Sequence, residues 1–180
     1  GLGDVYKRQQ WGRAEELLAK LQAAREEGMT ITCDQYPYTA TSTSMTALLP
    51  HWAHDGGVPA LLQRLKEPTQ RLKEETGVEM ENRGGPASIL VSGTHGYHPE
   101  WEGKTVEQLS QEFQMDPVDT VIRVLEQCGS SVACIYFCIN EEDMLRIMSD
   151  MDICVGSDGY NFSYDRSITR TDPHPRSFGT

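Results

Sequence analysis

Basic residues are scarce in this chain. Its 180 residues include 16 Lys and Arg against 27 Asp and Glu, which gives a net charge of −11 and a sequence pI of about 4.8. A nucleic-acid-binding protein needs clustered Lys and Arg to contact phosphates, and a module that lies on an anionic membrane needs the same. We therefore expect neither nucleic acid nor a membrane among the partners, and nothing in the composition predicts the oligomeric state.

Long apolar runs and regular cysteine motifs are also missing. No segment approaches the roughly 20 apolar residues of a spanning helix, and the chain does not open with a secretory signal. The five Cys are an odd number at irregular spacings, without a CxxC pair. Such cysteines fit free thiols in a reducing compartment better than a disulfide framework, so we expect a cytoplasmic protein.

What the sequence does contain is an alternation of short strand-like runs and helical patterns. Strands are predicted over Met29–Tyr36, Ala87–Ser92, Val132–Ile139 and Ile153–Ser157. Helices are predicted over residues 13–27, 60–66, 67–75, 105–113, 116–127 and 140–149. Because the strands lack clean alternation and helices separate them, they indicate an α/β protein with a parallel sheet covered on both faces.

The end of the last predicted strand carries the sharpest chemical signal. Ser157, Asp158 and Gly159 come at or just past this apolar run. A carboxylate at the carboxyl end of a parallel strand can bind a metal ion or take a proton from metal-bound water. Asp-Gly is also a common turn pair, so an Asp that only caps a turn is the alternative.

Two other stretches could bind a polar substrate. Neutral hydroxyls follow the first predicted strand, on Tyr36, Tyr38, Ser42, Thr43 and Ser44, although an ordinary polar loop has the same composition. Near the other end, His174 and Arg176 are separated by Pro175 and preceded by Pro173. A stiff backbone there could present Arg176 to a carboxylate in a bidentate pair, or the segment could be an exposed surface turn.

Four short motifs follow one another along the chain: CDQYPYTATSTS from Cys33, LPHWAHDGG from Leu49, VGSDG from Val155 and HPRSFGT from His174. In this order, with GKTVEQLS and DPVDTVIRVL between them, they resemble the D-aminoacylase (N-acyl-D-amino-acid deacylase) branch of the amidohydrolases. The resemblance covers nearly the whole chain. It implies a zinc-dependent hydrolase of the amide bond of N-acyl-D-amino acids, built on a (β/α)8 TIM-type barrel.

The same resemblance implies roles for single residues. Asp158 matches the catalytic acid/base of the SDG motif and is also a candidate ligand of a second metal ion. Tyr36 matches the first tyrosine of YPY, which contacts the oxyanion or the substrate. Ser42 and Thr43 match the substrate-binding pair that follows, and Arg176 matches the arginine that holds the substrate carboxylate.

The resemblance also implies that part of the enzyme is absent from this chain. The family's main zinc ligands, a Cys and two His, fall before the stretch that begins at Trp11. We therefore expect an incomplete barrel, its C-terminal half, which is inactive alone. A whole barrel needs about 250 residues. The region from about 61 to 103 is expected to be an inserted excursion and a candidate substrate lid.

Residues 1–9, GLGDVYKRQ, resemble a translated sequencing linker, so we expect the native domain to cover residues 10–180. Two alternatives to the deacylase stay open at this point. One is another amidohydrolase, a deacylase of N-acyl-D-glutamate or N-acyl-D-aspartate or a hydantoinase-like cyclic amidase, although YPY and HPR favour the first reading. The other is a non-catalytic protein that keeps the barrel scaffold.

Overall fold

The computed structural model describes residues 8–159 and 174–178. Within them the α-helices are α1 (Ala14–Glu26), α2 (Gly57–Lys66), α3 (Gln70–Asn82), α4 (Val106–Phe113), α5 (Pro117–Gln127) and α6 (Glu141–Met148). The strands are β1 (Cys33–Gln35), β2 (Thr41–Ser44), β3 (Ile89–Gly93), β4 (Ala133–Tyr136) and β5 (Ile153–Val155). A short 3-10 helix covers Pro175–Phe178. Among the described helices, none combines the length and the apolar character that a membrane span requires.

Local sequence signals determine where several helices begin. Thr105 starts α4 with a capping box: its hydroxyl accepts the Gln108 backbone N–H at 3.2 Å, and the Gln108 side chain accepts the Thr105 N–H at 2.9 Å. Asp116 caps the first turn of α5. Both starts confirm the sequence prediction. Helix α3 instead begins after its cap Thr69 and extends well beyond the predicted 67–75.

The described strands form two sheets, and the prediction of one parallel sheet is wrong. β1 and β5 pair in parallel, with Asp34 opposite Cys154. β2, β4 and β3 form an antiparallel sheet with β4 in the middle, and β2 occupies part of the stretch predicted as a hydroxyl-rich loop. An unbroken apolar run such as Val132–Ile139 indicates burial and not the direction of pairing. Burial in fact alternates along β4, where Cys134 and Tyr136 face the core.

The chain divides into two compact units. Counting only described residues, the larger unit comprises residues 8–11 and 39–140, and the smaller unit comprises residues 12–38, 141–159 and 174–178. The antiparallel sheet and α2 to α5 belong to the larger unit, whereas the β1–β5 pair, α1 and α6 belong to the smaller unit. The predicted excursion over residues 61–103 lies wholly inside the larger unit, and its function as a lid stays a prediction.

The two units differ in how they are held together. The larger unit has a continuous apolar core whose fully buried members include Met45, Leu65, Leu72, Ile89, Leu109, Val121 and Leu125. In the smaller unit α1 packs on α6 through a few buried residues, such as Leu18, Leu21 and Ile147. The buried carboxylate of Asp143 adds a polar anchor, because it accepts the backbone N–H groups of Gly12 at 2.6 Å and Ala14 at 3.2 Å at the start of α1.

Candidate active site

The parallel strand pair brings two predicted site residues to one edge. Tyr36 follows β1 directly, and Asp158 lies just past the end of β5. The Gly156 N–H donates to the Gln35 carbonyl at 3.1 Å, so the pairing continues one residue beyond β5. Because parallel strands end at the same edge of their sheet, Tyr36 and Asp158 leave it side by side.

Arg176 joins this edge through Tyr36. The Arg176 Nη1 donates a hydrogen bond to the Tyr36 hydroxyl oxygen at 2.5 Å, across 140 residues of chain. Its guanidinium carbon also lies 5.6 Å from the centre of the Tyr36 ring and 5.7 Å from that of Tyr38. A guanidinium at this range from two aromatic rings is attracted to both.

A chain of ring contacts surrounds the arginine. The Tyr36 and Tyr38 rings meet edge to face, with centroids 4.8 Å apart, and the Tyr38 and His174 rings do the same at 5.3 Å. The His174 Nδ1 accepts the backbone N–H of Arg176 at 3.2 Å. Edge-to-face packing is one of the favoured geometries of aromatic pairs, and these three rings form one cluster beside Arg176.

The electrostatics of the cluster keep Tyr36 protonated at neutral pH. Partial burial raises the pKa of its hydroxyl above the usual value, and the nearby Asp158 carboxylate and Tyr38 raise it further. The Arg176 guanidinium opposes this and lowers the pKa, but burial has the larger effect. Tyr36 is therefore a hydroxyl donor and not a phenolate in the pH range where most enzymes work.

The segment that carries Asp158 is fitted closely to the segment that carries Arg176. Asp158 is exposed and has a left-handed backbone, with φ of 51°. A Cβ on Gly159 would lie 2.5 Å from the carbonyl oxygen of Arg176 and 3.3 Å from the Cα of Ser177. Only glycine allows this approach, because any side chain would collide with backbone.

Ser42 and Thr43 lie elsewhere in the fold. Both are exposed residues of β2, in the larger unit, and not part of a loop that continues from Tyr36. Thr43 lines an open cavity of about 900 Å³ in that unit, together with His51, His54 and other residues. The structure thus groups Tyr36, Asp158 and Arg176 in one unit and assigns the two hydroxyl residues to the other; their predicted role in substrate binding stays a prediction.

The described residues do not assemble a zinc site. Zinc is usually held by three or four His, Cys, Asp or Glu side chains that converge on one point. Across residues 8–159 and 174–178, no group of three such side chains converges in that way. The side chains that the structure describes therefore do not fit a metal site by themselves.

Sequence reasoning did not assign the packing roles of Tyr38 and His174. Tyr38 appeared only as one hydroxyl among several, and His174 only as a neighbour of Arg176. The sequence did contain a signal for these contacts, namely the spacing within two motifs. Tyr38 lies two residues after Tyr36 in YPY, and His174 lies two residues before Arg176 in HPR. The close fit of Gly159 against the Arg176 backbone could not be predicted from the sequence. A glycine after an aspartate is common in turns, whatever it packs against.

Comparisons of sequence and of structure with known proteins both find an N-acyl-D-glutamate deacylase. No protein-family model matches the chain. A curated N-acyl-D-glutamate deacylase from Alcaligenes xylosoxydans is 25% identical over 170 residues, which cover 94% of this chain and 25% of that protein. The crystal structure of N-acyl-D-glutamate deacylase from Bordetella bronchiseptica, complexed with zinc and a phosphonate mimic of the tetrahedral intermediate, superimposes with a TM-score of 0.56. It is 24% identical, over 96% of this chain and 27% of that one.

D-aminoacylase is similar to the same extent. One of its crystal structures, which defines a novel subset of amidohydrolases, has a TM-score of 0.56 and 23% identity, over 97% of this chain and 27% of that one. Another describes a binuclear metal centre, with a TM-score of 0.55 and 24% identity over the same shares of the two chains.

The sequence and structural neighbours of the chain are thus amide hydrolases of the amidohydrolase family, namely N-acyl-D-glutamate deacylase and D-aminoacylase. This confirms the resemblance predicted from the four motifs. The α/β fold is similar to part of the D-aminoacylase fold, and the chain spans about a quarter of the length of these relatives.

Proposed function

We propose that this chain is part of a longer amidohydrolase that cleaves the amide bond of N-acyl-D-amino acids into a D-amino acid and a carboxylate. One observation carries the proposal. The Arg176 guanidinium is hydrogen-bonded to the Tyr36 hydroxyl, beside the Asp158 carboxylate, at the edge where two parallel strands end. A cation, a neutral donor and a proton acceptor are the side-chain groups that such a reaction needs.

Arg176 is proposed to bind the α-carboxylate of the substrate. A guanidinium carries five N–H donors, and the bond to Tyr36 uses one of them. The remaining donors are sufficient for a bidentate pair with a carboxylate. Because the pair fixes the α-carboxylate in orientation as well as in position, the configuration at Cα would decide which way the side chain points.

Tyr36 is proposed to stabilise the oxyanion that forms when the amide carbonyl is attacked. Its oxygen already accepts a hydrogen bond from Arg176, so its own proton is available to a second acceptor. The guanidinium also draws electron density from the phenol, which strengthens that donation. A preorganised donor aimed at developing negative charge is a major source of rate enhancement in acyl transfer.

Asp158 is proposed to move the proton. Its carboxylate is exposed and close enough to Tyr36 to raise the pKa of that hydroxyl. It would accept a proton as water attacks the carbonyl carbon and pass that proton to the departing amine nitrogen, which cannot leave as an anion. Asp158 takes up the proton and gives it back within one turnover, so the reaction consumes only the substrate and one water molecule.

Zinc is the cofactor that we propose, on the strength of the solved relative that contains it. When bound, such a metal acts as a Lewis acid. The motif resemblance assigns the main zinc ligands to a stretch before Trp11, and the described residues assemble no zinc site. We therefore propose that these ligands lie in a part of the protein outside this chain. Asp158 stays a candidate ligand of a second metal ion.

We further propose that the β1–β5 pair belongs to an incomplete (β/α)8 barrel. Parallel sheets are normally covered on both faces and rarely consist of two strands. In the described structure Cys154 and Val155 of β5 are exposed, the latter to 55%. A short parallel pair with an exposed strand is the arrangement expected when neighbouring strands come from another part of the chain.

Steady-state kinetics of the full-length protein test the proposed function. The substrates are N-acetyl-D-leucine, N-acetyl-D-glutamate, their L enantiomers and a hydantoin. We expect hydrolysis of at least one D substrate, with its L form far poorer. A preference for the hydantoin would instead support the cyclic amidase, and hydrolysis of none of them would contradict the proposal.

A further inference from the structure

Arg176 is held from two sides by residues to which neither the comparisons nor the motif resemblance gives a role. Tyr38 contacts it from one side, since its ring centre lies 5.7 Å from the guanidinium carbon. His174 holds the backbone, since its Nδ1 accepts the Arg176 N–H at 3.2 Å. The two holders also touch each other, with ring centroids 5.3 Å apart and planes at 89°.

We propose that Tyr38 and His174 are positioning residues, which together fix the direction in which Arg176 presents its guanidinium to the substrate carboxylate. This inference rests on the proposed function, because it takes a carboxylate as the ligand of Arg176. A long arginine side chain has many rotamers, and ordering it on binding costs side-chain entropy. Contacts that order it before the substrate arrives remove part of that cost.

Tyr38 acts through its ring. The ring touches Tyr36 edge to face at 4.8 Å as well as facing Arg176 and His174, so it braces both ends of the Arg176–Tyr36 hydrogen bond. Its hydroxyl has no hydrogen-bond partner among the described residues. Removing the ring should therefore matter more than removing the oxygen.

His174 acts through one nitrogen. Nδ1 can accept the Arg176 N–H only while it carries no proton, so the bond requires the neutral ring with its proton on Nε2. The carbonyl of His174 also accepts the N–H of Ser177 at 2.9 Å, which closes the turn that carries the arginine. Asparagine can place an acceptor near the Nδ1 position, whereas leucine cannot.

The test uses the full-length protein and two substrates, N-acetyl-D-leucine and its carboxamide, which lacks the carboxylate. We expect Tyr38→Leu to raise KM for the acid about 3- to 30-fold, the range of a cation–π contact, with little change in kcat. KM for the carboxamide should not change. Tyr38→Phe should restore most of the loss, and His174→Asn should restore more than His174→Leu.

Tyr97→Leu is the matched control, because Tyr97 is 60% exposed in the larger unit and should leave both KM values as they are. An equal rise in KM for both substrates, a loss confined to kcat, or a Tyr38→Phe variant as poor as Tyr38→Leu would each overturn the proposal. Thermal unfolding of every variant shows whether it is folded.

Calorimetric titration with N-acetyl-D-leucine separates this proposal from the proposed function. A wild type that binds the acid but hydrolyses nothing contradicts the proposed function, and weaker binding by Tyr38→Leu and His174→Leu still supports positioning. A wild type that hydrolyses the acid, together with variants that bind it as tightly as wild type, contradicts positioning alone. A wild type that binds neither N-acetyl-D-leucine nor N-acetyl-D-glutamate contradicts both.

Discussion

The larger unit is built around a continuous core of buried apolar side chains, whereas the smaller unit has only a few such side chains and adds polar contacts between segments far apart in sequence. Leu125 and Ile89 are fully buried in the larger unit, whereas Met151 and Val155 of the smaller unit are 98% and 55% exposed. The Arg176–Tyr36 bond joins residues 140 positions apart. We therefore expect stability to come mainly from the larger unit and the proposed chemistry to come mainly from the smaller unit.

The largest effect is expected at Asp158. Replacing it by Asn in the full-length protein removes the charge but suits the backbone, because Asn tolerates the left-handed conformation that Asp158 has with φ of 51°. We expect kcat to fall about 10²- to 10⁴-fold, the usual contribution of a general acid/base, with an unchanged melting temperature.

The matched control is Asp119→Asn in the larger unit. Asp119 pairs with Lys73 at 2.6 Å near the surface, an interaction that contributes about 0–1 kcal/mol, so both kcat and melting temperature should stay near those of wild type. If Asp158→Asn also keeps wild-type kcat, Asp158 is not the proton-transfer group.

In the core of the larger unit we expect a substitution to lower stability and to leave the kinetic constants unchanged. Leu125→Ala leaves a cavity at a fully buried position of α5 and should lower the free energy of unfolding by about 2–5 kcal/mol. Kinetic constants measured below the melting transition should not change. Val58→Ala, at a 53% exposed position of α2, should change stability by less than about 0.5 kcal/mol. Denaturant unfolding checks both, and equal losses in the two variants would contradict the assigned core.

Gly159→Ala tests whether the smaller unit depends on a close backbone approach. A methyl group there would lie 2.5 Å from the Arg176 carbonyl oxygen, so the arginine segment must move. We expect kcat/KM to fall about 10- to 100-fold, since small displacements of a binding group have effects of that size. Gly93→Ala in β3 is the control, because its added Cβ meets only Ala133 at an ordinary 3.7 Å. Unchanged kinetics in Gly159→Ala would show that the two segments are not held together.

A smaller effect is expected from Asp143, the polar anchor at the start of α1, and from Asp116, the N-cap of α5. Asp143→Ala leaves the buried N–H of Ala14 and the part-buried N–H of Gly12 without their acceptor, which should lower the free energy of unfolding by about 1–3 kcal/mol. Asp116→Ala removes a local, exposed cap in the larger unit and should lower it by about 0.5–2 kcal/mol. A greater loss in Asp116→Ala would show that the smaller unit does not depend on its polar anchor. Chemical denaturation provides both values.

Features that depend on neighbouring residues were predictable from the sequence, whereas features that depend on partners far along the chain were not. The starts of α4 and α5 were predicted because Thr105 and Asp116 act on their own first turns. Tyr36, Asp158 and Arg176 were singled out because strand ends and short motifs carry chemistry. The direction of pairing of β4 and the use of Asp143 at the start of α1 were not predictable, because both depend on partners far along the chain.

The smallest effect concerns the buried thiols of the larger unit and appears only at alkaline pH. Burial raises the pKa of Cys134 to about 12 from an ordinary 9.0, and burial also raises the pKa values of Cys128 and Cys138. Above pH 9 the unfolded chain releases the Cys134 proton and the folded chain keeps it, so this contribution to stability is complete below pH 9 and is lost as pH rises toward 12.

Cys134→Ala should therefore flatten the alkaline decline in unfolding free energy, measured by denaturant titration at pH 7 and pH 10. At pH 7 the thiol is protonated in both states, so the loss at that pH measures packing alone and serves as the internal control. An alkaline decline as steep in the variant as in wild type would mean that water reaches Cys134. The larger unit would then be less tightly packed than its buried side chains indicate, and the contrast with the smaller unit would be correspondingly weaker.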